Sequence, residues 1–264
     1  LIQDTEIKYA FVSTNSITQG EQVSVLWNEL LNNYNISIQF AHRTFSWKNE
    51  ARGNAAVHVV IIGFASYEIT DKMIFEYEDI NDEPHVVKAN NINPYLVDAT
   101  NSLAISRSKP LCDIPEVVRG SETTDSGHFM LSVEEKEFLL EKYPDSISFI
   151  RTFLGGGDII NNKIRYCLWL RDVAAAEYRN IPLVMEKIKA VKEFREGSKK
   201  ARTREWAKYP TLFSEDRQPQ ENFMAIPKVS SERRKYLPIA YLKPEIIINN
   251  TVSALPGASL WHFG

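Results

Sequence analysis

Aromatic and basic side chains alternate in one polar segment, residues 40–51, which has the sequence FAHRTFSWKNEA. Exposed aromatic rings are costly unless something stacks on them, and unpaired nucleobases commonly do so. Phe45 and Trp47 are therefore candidates for stacking on a base that leaves its duplex, and Arg43 is a candidate for a neighbouring contact to nucleic acid. The alternative is that both rings fold back and cover the core of their own domain.

A second polar segment, residues 13–22, joins a predicted strand to a predicted helix. Open α/β sheets hold ligands at such strand ends, so its polar side chains are candidates for a position near an active site. These candidates are Asn15, Ser16, Gln19 and Gln22. The alternative is that the segment only caps the helix, through Thr18 or an earlier hydroxyl.

The sequence lacks the common signatures of a self-contained enzyme. It contains no Gly-x-Gly-x-x-Gly, no P-loop and no Gly-x-Ser-x-Gly segment. Its five histidines are scattered, and none stands at metal-ligand spacing from another ligand. We therefore assign no catalytic residue and no metal site. The one glycine cluster, residues 155–157, is predicted to end a helix rather than to hold a phosphate.

Charge is distributed unevenly along the chain, although the net charge is only −3. Residues 1–110 carry 8 basic and 13 acidic side chains, whereas residues 187–208 carry nine and three, and residues 228–243 five and one. A local basic patch is enough to bind phosphate groups, so both later runs are candidates, with an ordinary solvated surface as the alternative. The residues we select for DNA contact are Lys199, Lys200, Arg202, Arg204, Ser230, Ser231, Arg233, Arg234 and Tyr236.

The first half of the chain alternates predicted strands with a predicted helix. Apolar or alternating runs predict strands at 9–12, 36–40, 57–64 and 73–77, the last at a sheet edge. Apolar residues at three- and four-residue intervals predict a helix over 23–34, and residues 41–54 are predicted to be a polar loop. This order indicates the edge of an open α/β sheet.

Residues 79–130 lack a regular pattern and are interrupted by prolines and glycines, so we place a domain boundary near residue 105. The second domain is predicted to be α+β. A capping-box pattern at Ser132 and Glu135 starts one helix, and Pro182 and Gly197 bound another. The other predicted helices cover 146–154 and 202–208, and the predicted strands cover 164–170, 223–226, 237–241, 245–249 and 259–263.

Composition places the chain among cytoplasmic proteins that do not enter a membrane. No run of eighteen apolar residues occurs, and the N-terminal residues do not resemble a signal peptide. Cys112 and Cys167 match no metal spacing and are expected to be reduced thiols. The chain begins with Leu1 rather than Met and ends at Gly264 without a recognisable tail, so we expect a piece of a longer protein.

Six segments, in order along almost the whole chain, carry a resemblance to a known family. They are residues 11–23 (FVSTNSITQGEQV), 40–51, 58–64 (HVVIIGF), 91–98 (NINPYLVD), 165–170 (RYCLWL) and 229–236 (VSSERRKY). The sequence resembles the MmeI-type (type IIL) bifunctional restriction–modification enzymes. Chains of that family join a nuclease, an adenine-N6 DNA methyltransferase and a target recognition domain.

The resemblance implies a partial methyltransferase-like sheet in residues 1–105, the C-terminal part of the catalytic domain, and a target recognition domain in residues 106–264. It also implies that Phe45, with Trp47 as the alternative, is the aromatic that stacks on a flipped adenine. The implied partners are double-stranded DNA and the upstream nuclease and methyltransferase segments of the same chain.

Two features of that family are missing from this sequence. The resemblance implies a glycine-containing loop that binds S-adenosylmethionine and an Asn-Pro-Pro-Tyr/Phe motif that holds the adenine amino group, and the sequence has neither. Asn93-Pro94-Tyr95 is one proline short and is predicted to be a structural turn. We therefore expect S-adenosylmethionine to bind the parent enzyme but not this piece, which is expected to be inactive alone.

Two other functions fit parts of the sequence. A non-catalytic, sequence-specific DNA-binding (specificity) module would share the basic patches but leaves the first hundred residues unexplained. An RNA-binding protein would use Phe45 and Trp47 to stack on single-stranded bases. Affinity for duplex DNA compared with single-stranded RNA separates these functions.

Overall fold

The computed structural model describes residues 5–47, 57–231 and 234–262, apart from the side chain of Leu260. The chain forms two compact units, Leu1–Ser108 and Lys109–Gly264, which we call unit 1 and unit 2 and describe separately. Within those described ranges, no helix is long and apolar enough to cross a membrane.

Unit 1 contains a five-stranded sheet and a helix. Its elements are β1 (Tyr9–Thr14), α1 (Glu21–Asn32), β2 (Ser37–Trp47), β3 (Val57–Ala65), β4 (Lys72–Glu76) and β5 (His85–Ala89). The strand order is β1-β3-β2-β4-β5, and β3 is antiparallel to both β1 and β2. Because β3 opposes both neighbours, β1 and β2 run parallel, with α1 in the connection between them. The predicted α/β class is confirmed.

The core of unit 1 includes one face of α1 and the middle of the sheet. Val23 and Trp27 of α1 are buried in one cluster with residues of the sheet, among them Ile38, Val60 and Ile74. Trp27 Nε1 donates to the carbonyl of Ile17 at 2.8 Å, which satisfies the indole N–H. The predicted helix is confirmed, although it ends before residue 34.

Two predictions for unit 1 are wrong. Residues 41–47 are not a loop, because β2 continues to Trp47 and its second half pairs with β3 from Val57 to Ile61. β4 is not an edge strand, because β5 pairs with it in a region predicted to be irregular. Nonlocal pairing overrides polar composition in both places. The remainder of the predicted loop, residues 48–54, lies outside the described residues.

The predicted turn at residues 93–95 is confirmed. The Asn93 Oδ1 atom accepts the backbone N–H groups of Tyr95 and Val97, at 3.0 and 3.3 Å. The Asn93 side chain is buried, so it serves the turn itself.

Unit 2 combines helices with two four-stranded sheets, which confirms the predicted α+β class. Its helices are α2 (Val133–Lys142), α3 (Gly156–Asn161), α4 (Ala175–Tyr178), α5 (Pro182–Glu196) and α6 (Ala201–Glu205). Its strands are β6 (Val118–Arg119), β7 (Met130–Leu131), β8 (Ile150–Leu154), β9 (Arg165–Leu168), β10 (Phe223–Pro227), β11 (Ala240–Leu242), β12 (Ile247–Ile248) and β13 (Val252–Pro256). Sheet I has the order β12-β8-β9-β7, and sheet II has the order β11-β10-β13-β6.

The largest core cluster of unit 2 joins sheet I and α5. Val184, Ile188 and Val191 form the predicted buried stripe of α5. Arg195 continues this stripe and is fully buried. Its guanidinium donates to backbone carbonyls in two loops, those of Thr123, Thr124, Trp206, Tyr209 and Leu212, at 2.8–3.1 Å. One arginine therefore fixes both loops to α5.

The predicted start of α2 is confirmed in detail. The Ser132 hydroxyl accepts the backbone N–H of Glu135 at 3.1 Å, and the Glu135 carboxylate accepts the backbone N–H of Ser132 at 2.8 Å. This capping box satisfies two N–H groups that the helix leaves without partners.

Three predictions for unit 2 are wrong. Residues 146–154 are not a helix, because a 3-10 turn at Pro144–Ser148 leads into β8, which pairs with β9 and β12. The glycines at 155–157 follow that strand and open α3 instead of ending a helix. Residues 259–262 are not a strand, because a 3-10 turn covers Leu260–His262, and residue 263 lies outside the described residues. The last strand of the described residues is β13, between β10 and β6.

Candidate nucleic-acid interface

Aromatic rings from β2, from β4 and from Tyr77, which directly follows β4, meet beside the end of β2. The His42 ring stacks on Phe75, with centroids 4.1 Å apart and planes 3° apart. The Phe45 ring stacks on Tyr77 with centroids 5.1 Å apart, and the Trp47 ring lies 6.2 Å from that of Phe45. We call these five side chains the ring cluster. It exists because β2 and β4 are parallel, with His42 paired to Phe75.

A bulge in β2 sets the direction of Phe45. His42 pairs with Ile61 and Phe45 pairs with Val59, so β2 has one residue more than β3 between these two pairs. Since Ile61 and Val59 are two residues apart and share a face of the sheet, the bulge brings Phe45 to the same face as His42. Bulges redirect side chains in this way and are common beside active sites.

Both candidate stacking residues lie outside the buried core of unit 1. Phe45 is half-buried, and Trp47 is 47% exposed. Tyr77 stacks on Phe45 and thereby supports it. The rings therefore do not fold back over the core, and the arrangement suits an aromatic surface on which a flat ligand stacks.

Hydrogen bonds and charges fix the surroundings of the rings. His42 Nδ1 lies 2.7 Å from the Tyr77 hydroxyl, and burial lowers the pKa of His42, which keeps its ring neutral near pH 7. Arg43 Nη1 lies 3.0 Å from Glu76 Oε1, and His85 Nε2 lies 3.5 Å from the other oxygen of that carboxylate. Arg43 is thus already paired with an anion within its own unit.

The polar segment before α1 contains a 3-10 turn at Asn15–Thr18. The Thr18 hydroxyl donates to the carbonyl of Asn15 at 2.9 Å, so it does not cap the helix. The N-cap of α1 is Gly20, at φ +63°, a conformation that favours glycine. Asn15 and Ser16 are half-buried, whereas Gln19 and Gln22 are exposed. The four predicted residues therefore follow the end of β1, around the start of α1.

The first basic segment of unit 2 is compact and exposed. Lys199, Lys200, Arg202 and Arg204 all lie in or just before α6. Arg202 contacts Glu215 at 3.1 Å, and Arg204 Nη1 donates to the carbonyls of Ser198 and Lys199 at 2.8 and 2.9 Å. In the part of the chain that the structure covers, Lys199 and Lys200 form no ion pair.

Two residues of the basic run 187–208 do not belong to this surface. The buried Arg195 guanidinium donates to five backbone carbonyls, so it does not reach a phosphate. Lys187 Nζ lies 2.8 Å from Glu135 Oε1 and donates to the carbonyl of Met130 at 2.9 Å. Within the run 187–208, the candidates for phosphate contact therefore stay the exposed residues Lys199, Lys200, Arg202 and Arg204.

The second basic segment, residues 230–236, is described except for Glu232 and Arg233, so the prediction for Arg233 lies outside the described residues. Ser230 Oγ is buried and has no hydrogen-bond partner among those described. Arg234 is exposed, and its backbone N–H donates to the carbonyl of Ser231 at 3.1 Å. Tyr236 is 75% exposed, with Lys235 Nζ 5.6 Å from its ring centroid. The segment thus exposes cations beside an aromatic ring.

Sequence reasoning missed Phe75 and Tyr77, which support His42 and Phe45. The alternating run at 73–77 predicted a strand, but its position beside β2 depends on parallel pairing that the sequence does not show.

Two family models match the chain. The target recognition domain of MmeI matches residues 98–264, and the DNA-methyltransferase domain of MmeI matches residues 1–76. The first match covers more than half of the residues. The chain therefore belongs to the MmeI family.

Relatives of known description are similar over nearly all of this chain. It is 37% identical to DNA methyltransferase A of Bacillus subtilis (strain 168) over 260 residues, which is 98% of this chain and 29% of that protein. It is 46% identical, with a TM-score of 0.85, to the solved structure of the type IIL restriction-modification enzyme MmeI in complex with DNA, covering 98% of this chain and 35% of that one. The chain thus spans about a third of the length of these relatives.

The glycine segment at residues 155–157 does not fit S-adenosylmethionine. The glycines at 155–157 join a strand to a helix, as a nucleotide-binding loop does, but the amides of Gly155 and Gly156 are already used. The Gly155 N–H donates to Asp158 Oδ2 at 2.7 Å, and the Gly156 N–H donates to Thr251 Oγ1 at 2.8 Å. We therefore derive no chemical step through a methyl donor in this chain.

Proposed function

We propose that this chain recognises double-stranded DNA and presents an aromatic ring to an adenine that has left the duplex, within an adenine-N6 DNA methyltransferase of the MmeI family. The observation that carries the proposal is the similarity to MmeI in complex with DNA, at 46% identity over 98% of this chain. Because that similarity extends over nearly the whole chain, both parts of the proposal rest on it.

The proposed domain assignment places residues 1–105 in the C-terminal part of the catalytic domain and residues 106–264 in the target recognition domain. Its support is the position of the methyltransferase match at residues 1–76 and of the recognition match at 98–264. The separation of the two compact units after Ser108 agrees with this division.

In unit 1, we assign the stacking role to Phe45, with Trp47 as the alternative. The support is the bulge in β2 and the Tyr77 ring that stacks on Phe45. Stacking on an aromatic side chain is worth about 1–3 kcal/mol per base, which offsets much of the few kcal/mol that unstacking a base costs. Adenine is neutral, so this site needs no free cation, consistent with the pairing of Arg43 to Glu76.

Upstream segments of the same protein are proposed to complete the active site. β1 lies at the edge of the described sheet, and Ile7, Phe11 and Val12 are each more than half exposed. An apolar edge strand is a template for a further strand. Asn15, Ser16, Gln19 and Gln22, which follow β1, would then lie near that addition. S-adenosylmethionine would be held by the added segments and would supply the methyl group.

In unit 2, the exposed cations are proposed to contact the DNA backbone while neighbouring polar side chains contact base edges. Lys199, Lys200, Arg202 and Arg204 form the first contact region, and Ser230, Ser231, Arg233, Arg234 and Tyr236 the second. Phosphate contacts fix the position of a protein on DNA, and groove contacts give sequence specificity. We expect a protein with this function to act in the cytoplasm.

The proposal is tested by methyl transfer from labelled S-adenosylmethionine to duplex DNA by the full-length protein. The expected product is N6-methyladenine at one adenine of a single short sequence, with the rate reduced in Phe45→Ala. Sequence-specific binding without methyl transfer would favour the non-catalytic specificity module instead. Preferential binding of single-stranded RNA over duplex DNA would overturn the assignment.

A further inference from the structure

Three cations from distant parts of the sequence meet at one end of sheet II. Arg119 belongs to β6 and is paired with Ser253 of β13. Lys228 directly follows β10, on the other side of β13, and its backbone N–H donates to the carbonyl of Thr251 at 3.0 Å. Arg217 is held beside them because its backbone N–H donates to Ser121 Oγ at 3.0 Å, two residues after Arg119.

The acidic residues nearby balance only part of this charge. Arg119 contacts Glu122 at 3.0 Å, and Arg217 contacts Glu215 at 2.8 Å. Glu215 also contacts Arg202 at 3.1 Å, and the backbones of Glu122 and Glu215 pair with each other. The two carboxylates therefore pair with three arginines, Arg119, Arg202 and Arg217. Lys228 forms no ion pair within the residues the structure describes.

Lys228 lies close enough to Arg119 and Arg217 for their positive charges to repel its own. Its pKa is lowered by partial burial and by the positive charges of Arg119 and Arg217. Like charges that the backbone holds close together are unfavourable until an anion joins them. The side chains of Arg119 and Arg217 are 40% and 44% exposed, so an anion from solvent reaches them.

The spread of the cations indicates what kind of anion they take. Arg119 belongs to β6 and Lys228 directly follows β10, and these strands lie on opposite sides of β13, two strand spacings or roughly 10 Å apart. The face between them carries half-buried Ile226 and Ser253, which are paired across β10 and β13. A row of cations along such a face matches a chain of phosphates better than one small anion.

We propose that Arg119, Arg217 and Lys228 form a phosphate-contact site for the DNA backbone, which we call the sheet II cation site. It is additional to the segments at 199–204 and 230–236, and Arg202 connects it to the first of these through Glu215. The proposal rests on the proposed function, because it names a further contact of the same DNA-recognising unit.

The test measures how duplex-DNA affinity depends on salt, using the full-length protein with EDTA present and no methyl donor. A plot of log K against log salt loses roughly one unit of slope for each phosphate contact removed. The triple variant Arg119→Gln, Arg217→Gln, Lys228→Gln should lose about two to three units, with equal weakening on target and non-target DNA. The matched control, Lys88→Gln, Lys142→Gln, Lys163→Gln, removes three exposed lysines outside both basic runs and should keep the wild-type slope.

A second variant tests the site without removing any cation. Glu122→Gln frees Arg119 from its partner, so duplex affinity should rise and the slope should steepen. An unchanged slope in both the triple variant and Glu122→Gln, beside a steep wild-type slope, would overturn the cation site while leaving the proposed function in place. A wild-type protein without salt-dependent duplex binding would overturn both.

Discussion

The candidate binding residues of unit 1 and unit 2 differ in their charge. In unit 1 the candidates are neutral rings that stack on one another along two strands, and the nearby Arg43 is paired with Glu76. In unit 2 they are exposed cations on short segments, of which Lys199, Lys200 and Lys228 form no ion pair among the residues described. The first arrangement suits one flat, neutral ligand, and the second suits an extended polyanion. The two units should therefore respond differently to salt.

Within unit 2, the same residue type also has two opposite roles. Arg195 is fully buried and binds backbone carbonyls of two loops, whereas Arg202 has a side chain that is 77% exposed. Burial, which the sequence does not give, separates an arginine that holds the unit together from one that faces solvent.

The largest expected effect is on the stability of unit 2. Arg195→Met should lower its free energy of unfolding by roughly 3–5 kcal/mol, because the carbonyls of the two loops lose their donors in a buried site. Equilibrium unfolding in urea measures the change. Lys189→Met, an exposed change on the same helix, should cost under about 1 kcal/mol, and equal effects of the two variants would contradict this account of Arg195.

The next effect concerns the ring cluster. Phe45→Ala should weaken binding of target duplex by about 1–3 kcal/mol, the value of stacking one base, without changing the salt slope. Trp47→Ala is the matched comparison, and fluorescence of 2-aminopurine at the methylated position follows base exposure directly. A larger loss in Trp47→Ala would transfer the stacking role to that residue, and a changed slope in Phe45→Ala would refute the distinction between the two units.

Substitutions in the first basic segment of unit 2 should change the salt dependence of DNA binding without changing its sequence preference. Lys199→Gln with Lys200→Gln should lower the salt slope by about two units and weaken all duplexes alike, because phosphate contacts carry no sequence information. Fluorescence anisotropy at several salt concentrations gives the slope. Loss of sequence preference instead of slope would show that these lysines contact bases.

The smallest effect concerns pH and unit 1. Because the pKa of His42 is lowered in the folded state, the unfolded chain binds more protons in the window below 6.5, so unit 1 should lose stability as pH falls through that window. Melting temperatures at pH values between 7.5 and 5.5 measure this loss. His42→Gln should flatten the dependence, and the control His85→Gln should leave it unchanged. A dependence that persists in His42→Gln would contradict this account.

Much of the local structure could be predicted from the sequence. The apolar stripe of α5 and the capping box at Ser132 depend on neighbours within one or two helical turns, and both are confirmed. The resemblance to the MmeI family is confirmed as well, since it rests on segments spread along the chain. Such features need no knowledge of distant contacts.

The features that could not be predicted depend on residues far apart in the sequence. The second half of β2 is polar, and only its pairing with β3 makes it a strand. The support of Phe45 by Tyr77 requires parallel strands, and the grouping of Arg119, Arg217 and Lys228 requires sheet II. The candidate residues were thus identifiable by type, whereas the side chains that position them were not.

The most direct test of the central claim is the affinity of the wild-type protein for duplex DNA across salt concentrations, with single-stranded RNA as competitor. Recognition of duplex DNA by unit 2 predicts a straight, steep fall of log K with log salt and little competition from RNA. Salt-insensitive binding, or RNA that displaces the duplex at equal concentration, would contradict the account.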